Sequence, residues 1–421
     1  MPGRYLMVVP VPAYPVRPGV CAIESAFAAH LRLLRSLLGP VAVELVVAGP
    51  ELSAEDYQKQ RHQLAELDAA VDGIRFRSMF PLATGRLGYW RRFGGILKAL
   101  SEEVERADIV HAGCSSIYRP FEFAALLLGK RHDKITISVS DIDNRATPRM
   151  QRAIGAWGWR EYVWTKAVHS TWSHLQQQYA VRNFSLVLLK GLSYANDYGA
   201  QRSNVRFFLD SAFGGEHVIG AEKLAHKLEY LRANRGPVRV VYFGRLVAYK
   251  GVDRMLQAVR VALDCGAQIS FRIIGDGPCR EQLVQLRDEL GLGSAVEFVG
   301  AVPYGPGLFD MLYASDLLLA APLSEDTPRS ALDAAAAAIP LVAFDTSYYK
   351  DLQALGAAVH VSPWPDAEAL GRNLAAVATN REALARDVER ALLFARDNTQ
   401  EIWLNRRIEW TKTAAAQHPE G

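Results

Sequence analysis

The chain has 421 residues, half of them hydrophobic and 22% charged, with a formal net charge of +3 at neutral pH. That length exceeds one ordinary core and points to two domains, while so small a charge gives no reason to expect a nucleic-acid partner. No run is apolar and long enough to span a bilayer, and the scattered Cys21, Cys114, Cys265 and Cys279 lack metal-type spacing; reduced thiols in a cytoplasmic protein fit them better than a disulfide framework.

The start, MPGRYLMVVPVP, reads as a buried strand over Tyr5–Val9 followed by a proline-rich loop, without the features of a signal peptide. Apolar residues at helical spacing over Ala22–Leu38 predict a helix, and Val41–Gly49 a second strand. Strand, helix, strand is a βαβ rhythm and argues for a parallel sheet. Gly19 is the one glycine of the first loop. Strands follow at Asp108–Cys114, Lys134–Val139 and Leu186–Leu189. Residues just past strand ends line the crevice of an open α/β sheet, which places His111, Asp141 and Asp143 near a cleft. Asp141-Ile142-Asp143 also spells a D-x-D that could hold a divalent cation; a solvated loop is favoured over that reading, and no metal is expected. Arg86–Leu100 mixes arginines with aromatics, and Ala153–Tyr179 carries Trp157, Trp159, Tyr162, Trp164 and Trp172. A basic aromatic surface can lie on an anionic membrane, but buried packing for the tryptophans is the favoured reading. Residues 192–237 read as a linker with a helix over Glu222–Leu231.

The second half is more regular. Strands are predicted at Val238–Phe243, Ile269–Ile274, Val296–Val299, Leu317–Ala321, Leu341–Phe344 and Ala358–Val361, separated by helices, and Glu382–Thr413 is helical by pattern. The first of these strands stops at Gly244, and Arg245 and Lys250 follow it. Glycine at a strand end permits close backbone approach, and the two cations suit a diphosphate. Another glycine, Gly275, ends the next strand in GDGP. A polar loop holding Glu325 follows the strand at Leu317 and leads into a helix near Pro328. The exposed amides at Arg329, Ser330 and Ala331 can bind an anion.

These motifs in order, GRLVAYKG, GDGP, FVG and Glu325 with Asp333 eight positions on, resemble those of the retaining family 4 glycosyltransferases, over roughly residues 238–345. The resemblance implies two Rossmann-like parallel-sheet domains facing across a cleft, the GT-B architecture. It divides the chain into an acceptor-binding domain at 1–200, a nucleotide-sugar domain at 201–395, and a C-terminal helix at 396–421 crossing back to the first domain. It implies transfer of a sugar from a nucleotide diphosphate donor, UDP or GDP, to a hydroxyl acceptor with retention of configuration, at the membrane's inner face or in the cytoplasm. Arg245 and Lys250 would hold the diphosphate, Glu325 the donor-sugar hydroxyls and Asp333 the ribose. This chain departs from the family at Asp141, where relatives have histidine, at Asp333 and Ala338 in place of glutamate and glycine, and at Asp326, Thr327 and Arg329. A nucleotide-sugar epimerase of the same architecture and a catalytically silent nucleotide-sugar-binding protein stay open as alternatives.

Overall fold

A computed structural model describes residues 3–39, 42–199, 201–233 and 236–418. Ten strands build the first sheet: β1 (Gly3–Val8), β2 (Ala13–Arg17), β3 (Val20–Glu24), β4 (Ala42–Glu51), β5 (Leu64–Asp68), β6 (Ile74–Pro81), β7 (Ile109–Gly113), β8 (Ile135–Ser140), β9 (Leu186–Lys190) and β10 (Val205–Phe208). Their order is β10-β9-β8-β7-β1-β4-β2-β3-β5, with β6 also on β4. The pairings from β10 through to β4, and that of β6, are parallel. Six further strands, β11 (Val238–Phe243), β12 (Ile269–Ile274), β13 (Val296–Gly300), β14 (Leu317–Ala320), β15 (Leu341–Phe344) and β16 (Val359–Ser362), form a second, wholly parallel sheet ordered β13-β12-β11-β14-β15-β16.

The second sheet follows from its sequence directly. Strands covered on both faces read as continuous apolar runs, and LLLA of β14 and LVAF of β15 are buried throughout. The helix Val252–Asp264 buries Val252, Met255, Leu256 and Val259, the i, i+3, i+4, i+7 stripe of an amphipathic helix. Under the second sheet, Asp316 is fully buried and receives two hydrogen bonds from the Arg239 guanidinium, at 2.8 and 2.5 Å, and one from the Arg239 amide at 2.9 Å. Three donors satisfy the carboxylate, as burial of a charge requires.

The first sheet departs from expectation in three places. The proline-rich loop is an antiparallel hairpin, β2 with β3, turning at Pro18-Gly19. Gly19 takes a left-handed φ of 80° at its tip, the conformation that favours glycine directly after proline in a tight turn. It therefore serves the turn and does not face the cleft. The strands β5 and β6, unpredicted, carry the hairpin and extend the sheet. And β10, inside the expected linker, pairs with β9, so the first sheet reaches Phe208, past residue 200. The predicted strand start Val41 lies outside the described residues.

One apolar cluster runs through both units, joining Tyr5, Ile109 and Leu188 to Val241, Leu318 and Ala335. The helix Gln400–Ala416 belongs to it through Trp403 and Leu404. It packs on the helix Ser25–Leu38 and on β8 and β9, and is pinned by bonds from the Gln400 amide to the Phe213 carbonyl (2.9 Å) and from the Trp403 indole to Asn398 (3.0 Å). Other bonds that cross between the units include Gln151 to the Leu323 carbonyl at 2.9 Å and the Ser193 amide to Asp351 at 2.9 Å.

The aromatic segment is a helix from Trp159 to Asn183 with a π-helical stretch at Thr165–Ser170. Trp172 is half-buried, its indole donating to the Ser115 carbonyl at 3.1 Å. Burial fails for Trp159 and Trp164, which are 61% and 56% exposed. Trp90 and Leu87 of the helix Arg86–Arg106 are exposed as well. The two exposed regions meet at Tyr118, whose ring lies 3.8 Å from the Arg86 guanidinium and whose hydroxyl is 3.4 Å from His169.

Candidate active site

A cavity of about 900 Å³ opens between the two sheets. Its first-unit wall is made by the ends of β1, β7 and β8 and by the start of the helix Ser25–Leu38, bringing in His30, His111, Asp141 and Asp143. Arg329 and Asp333 of the second unit face them, with Tyr304; Gln400 and Arg407 of the returning helix complete the lining. A smaller recess shares Ile142, Asp143 and Tyr194 with the cavity and is lined further by Glu325, Asp326, Thr327 and Ser347.

Five of the expected residues thus line the large cavity: His111, Asp141, Asp143, Arg329 and Asp333. His111 is buried and tied by Nδ1 to the Tyr5 hydroxyl at 2.7 Å, so its ring is part of the wall. Asp143 is engaged by Arg145 at 2.6–2.9 Å, which turns half of the D-x-D inward on itself. Glu325 sits in the recess and accepts the Ser347 hydroxyl at 3.0 Å. Burial raises its carboxyl, and the bonds from Ser347 oppose that rise.

Asp333 is 3% exposed and accepts from the Tyr304 hydroxyl at 3.3 Å. Burial pushes its carboxyl up to about 7, with Tyr304 and Arg329 acting against the rise. A carboxyl whose folded pKa lies above its unfolded value binds more protons in the folded state, so its contribution to stability is lost as pH climbs from about 4 to about 7. Asp333→Asn, which mimics the protonated form, is expected to match the wild-type melting temperature at about pH 4 or just below and exceed it by roughly 3 °C near pH 8; thermal melts at the two pH values check this.

The two cations expected at the diphosphate stand outside the lining of the large cavity. Arg245 is exposed and outside both cavity linings. Lys250 lies in the short helical turn Ala248–Lys250 and forms an ion pair with Asp326, both side chains being mostly buried. Gly244 and Gly275 also stand outside the linings. Gly275 instead meets its neighbour: a Cβ there would lie 1.9 Å from the Gly244 carbonyl oxygen. Ser330 and Ala331 open the helix Ser330–Ala336 behind Arg329, Ala331 being buried. That helix ends at Ala338, which adopts a left-handed φ of 51° without being glycine. The buried Lys227 amine donates to the Ala337 carbonyl at 2.6 Å and so caps this end.

Residues that the sequence did not mark are His30, Asp210, Tyr304, Gln400 and Arg407. Tyr304 follows the FVG motif by four positions, close enough for that motif to point to it; the others arrive from distant segments. Asp210 bridges the units by accepting from Arg329 at 2.8 Å, with Lys190 at 3.4 Å. Burial opposes its ionisation, but Lys190 and Arg329 outweigh that and hold the carboxyl well below its usual range.

This arrangement of two parallel-sheet units is similar to the structure of HepE from Anabaena in complex with UDP. The chain superposes on it with a TM-score of 0.63 over 98% of this chain and 100% of that one, at 16% identity. WaaG, a glycosyltransferase involved in lipopolysaccharide biosynthesis, gives a TM-score of 0.60 over 99% and 100% at 12% identity. The fold is that of the GT-B glycosyltransferases. Within this GT-B fold, residues 227–392 match the family model described as glycosyl transferases group 1. A curated relative, 2-deoxystreptamine glucosyltransferase of Streptomyces kanamyceticus, is 32% identical over 109 residues, 26% of this chain. The match spans only 28% of that relative's length. The large cavity therefore lies at the GT-B cleft, with the matched segment supplying Arg329, Asp333 and Tyr304.

Proposed function

We propose that the protein transfers a glycosyl group from a nucleotide diphosphate sugar to a hydroxyl acceptor with retention of configuration, in glycan, glycolipid or polysaccharide biosynthesis in the cytoplasm. The observation that carries this reading is the interdomain cavity, which sets Arg329 and Asp333 of the family-matched segment opposite the strand ends of the first unit. Structures of HepE hold UDP and UDP-glucose, which supports UDP ahead of GDP as carrier. In this reading Asp333 and Tyr304 receive the ribose, and Glu325, held by Ser347, accepts hydroxyls of the donor sugar. Lys250 and Arg245 balance the charge that builds on the departing diphosphate, a fixed-cation contribution that strengthens where water is excluded. The leaving phosphate takes the acceptor's proton, so no protein base is required. No metal enters this scheme.

The test is thermal shift of the purified protein with UDP-, GDP-, ADP- and dTDP-sugars, followed by nucleotide release in the presence of candidate acceptors. Stabilisation by one donor family together with release supports the transferase. Interconversion of the sugar without release points to an epimerase, and binding without turnover to a silent binder. No response to any nucleotide removes the reading.

The exposed Trp159, Trp164, Trp90 and Leu87, with Arg86, Arg91, Arg92, Arg160 and Lys166 exposed beside them, favour docking of the first unit on an anionic membrane surface. Aromatic side chains seat at the headgroup level and each basic residue adds about 1 kcal/mol near such a surface. Vesicles of phosphatidylglycerol are expected to sediment the protein and vesicles of phosphatidylcholine to leave it in solution. Trp159→Ser combined with Trp164→Ser should abolish the difference; equal sedimentation with both lipids would reject the docking.

A further inference from the structure

Arg407 is the unusual charge of the cleft. It projects from the returning helix into the cavity beside His30, Gln400, Phe208 and Asp210. Among the described residues its guanidinium has no hydrogen bond or ion pair; it lies 5.0 Å from the Phe208 ring centre. Asp210, which lines the cavity with it, is already committed to Arg329 and Lys190. His30 adds no charge of its own, because burial first and the Arg407 charge second push the imidazole down to about 4, leaving it neutral. Tyr5 and His111 below satisfy one another. Glu24, at the rim, is used as a cap by accepting from the Phe27 amide at 3.1 Å. Arg407 thus stands in a partly enclosed space whose Asp210 is already engaged by two other cations. Charges taken out of water are ordinarily paired, and an arginine fork is shaped to take two oxygens of one anionic group.

We propose that the acceptor carries an anionic oxygen group, a phosphate or a carboxylate, and that Arg407 binds it against the first-unit wall of the cavity. The assignment rests on the transferase reading for the word acceptor. It stands apart from the donor diphosphate, because Arg407 lies on the wall formed by β1, β7 and the helix Ser25–Leu38, whereas Arg245 and Lys250 lie outside the lining of this cavity. Gln400, about two turns before Arg407 on the same helix, is placed to hydrogen-bond the sugar or polyol that bears the anion. The site would accept a phosphorylated or acidic acceptor and disfavour its neutral counterpart, whose binding leaves the guanidinium uncompensated.

Calorimetric titration of UDP-saturated protein with inorganic phosphate, glucose 6-phosphate, glucuronate and glucose tests this. Wild type is expected to bind glucose 6-phosphate or glucuronate at least about tenfold more tightly than glucose, the ratio a charge-assisted pair commands. The preferred anion tells phosphate from carboxylate. Arg407→Gln should bring the anionic and neutral sugars to within about twofold while leaving UDP affinity and melting temperature unchanged; Arg407→Lys, which keeps the charge and loses the fork, should retain part of the preference. Absence of any preference for the anionic probes overturns the proposal, as does a preference that survives Arg407→Gln. If UDP fails to bind while Arg407 still selects the anions, the donor reading fails and the anion site stands.

Discussion

Lys250→Ala is expected to lower nucleotide release from the sugar donor by about 10²-fold, with the larger part in kcat. In the proposed transfer the leaving group is a nucleoside diphosphate, and the charge that would grow on it as the glycosidic bond lengthens calls for a fixed cation nearby. Asp326 holds Lys250 in an ion pair, and in the proposed transfer the same carboxylate competes with the donor for the ammonium. The counterpart follows: Asp326→Asn should bind UDP several-fold more tightly than wild type, because the ammonium is then free, and should lose part of its turnover, because the free side chain no longer has a single position. Steady-state kinetics and UDP titrations on both variants check the pair. A Lys250→Ala enzyme with undiminished turnover would remove the lysine from the chemistry altogether.

Gly275→Ala should cost about 3–5 kcal/mol of folding stability, a large share of what a domain possesses. Two causes act together. The added Cβ would meet the Gly244 carbonyl oxygen at 1.9 Å, and the φ of 144° is one that only glycine adopts freely. Both partners are backbone at the ends of adjacent strands, bonded through the Gly244 amide and the Ile274 carbonyl at 2.9 Å, so neither can rotate away. Gly266 offers the control. Its φ is 83° but nothing lies within 4 Å of the place a methyl group would take, and Gly266→Ala should cost only about 1 kcal/mol. Urea melts of the two variants separate collision from conformation: the midpoint for Gly275→Ala should fall several times further, at an unchanged slope.

Most of the second unit was legible in the sequence because its signals are local. Wholly buried parallel strands announce themselves as apolar runs, and Val238–Phe243, Ile269–Ile274 and Leu341–Phe344 coincide with the observed strands. Glu325, Arg329 and Asp333 stand out by the spacing of one motif, and all three face the cleft or its recess. The first unit hid more. Pro12, Pro15 and Pro18 look like a loop, yet a hairpin at the sheet margin tolerates proline because its ladder is short and open on one side. The strand β5 is a half-buried segment with charges at Glu66 and Asp68, which weakens the alternation that would reveal it. Arg407 carried no local signal at all. It is one of several arginines on a charged helix, and its function is set by Phe208 and His30, some 200 and 377 positions away. The tryptophans misled for a related reason: aromatic content speaks for burial only where something is there to cover it, and nothing among the described residues covers Trp159 or Trp164.

The returning helix also orders events in time. The first sheet is spelled out by Phe208, but Trp403, which packs on Phe207 at 5.7 Å between ring centres, is not synthesised until about 200 residues later. At roughly 5–20 residues per second of translation, the nascent first unit waits tens of seconds with the seat of that helix uncovered. The second unit is complete before the helix can dock, so closing the first unit and fixing the two units against one another become a single late step. The cleft acquires Gln400 and Arg407 only in that step, and a newly made chain cannot present its finished pocket before it has assembled both halves.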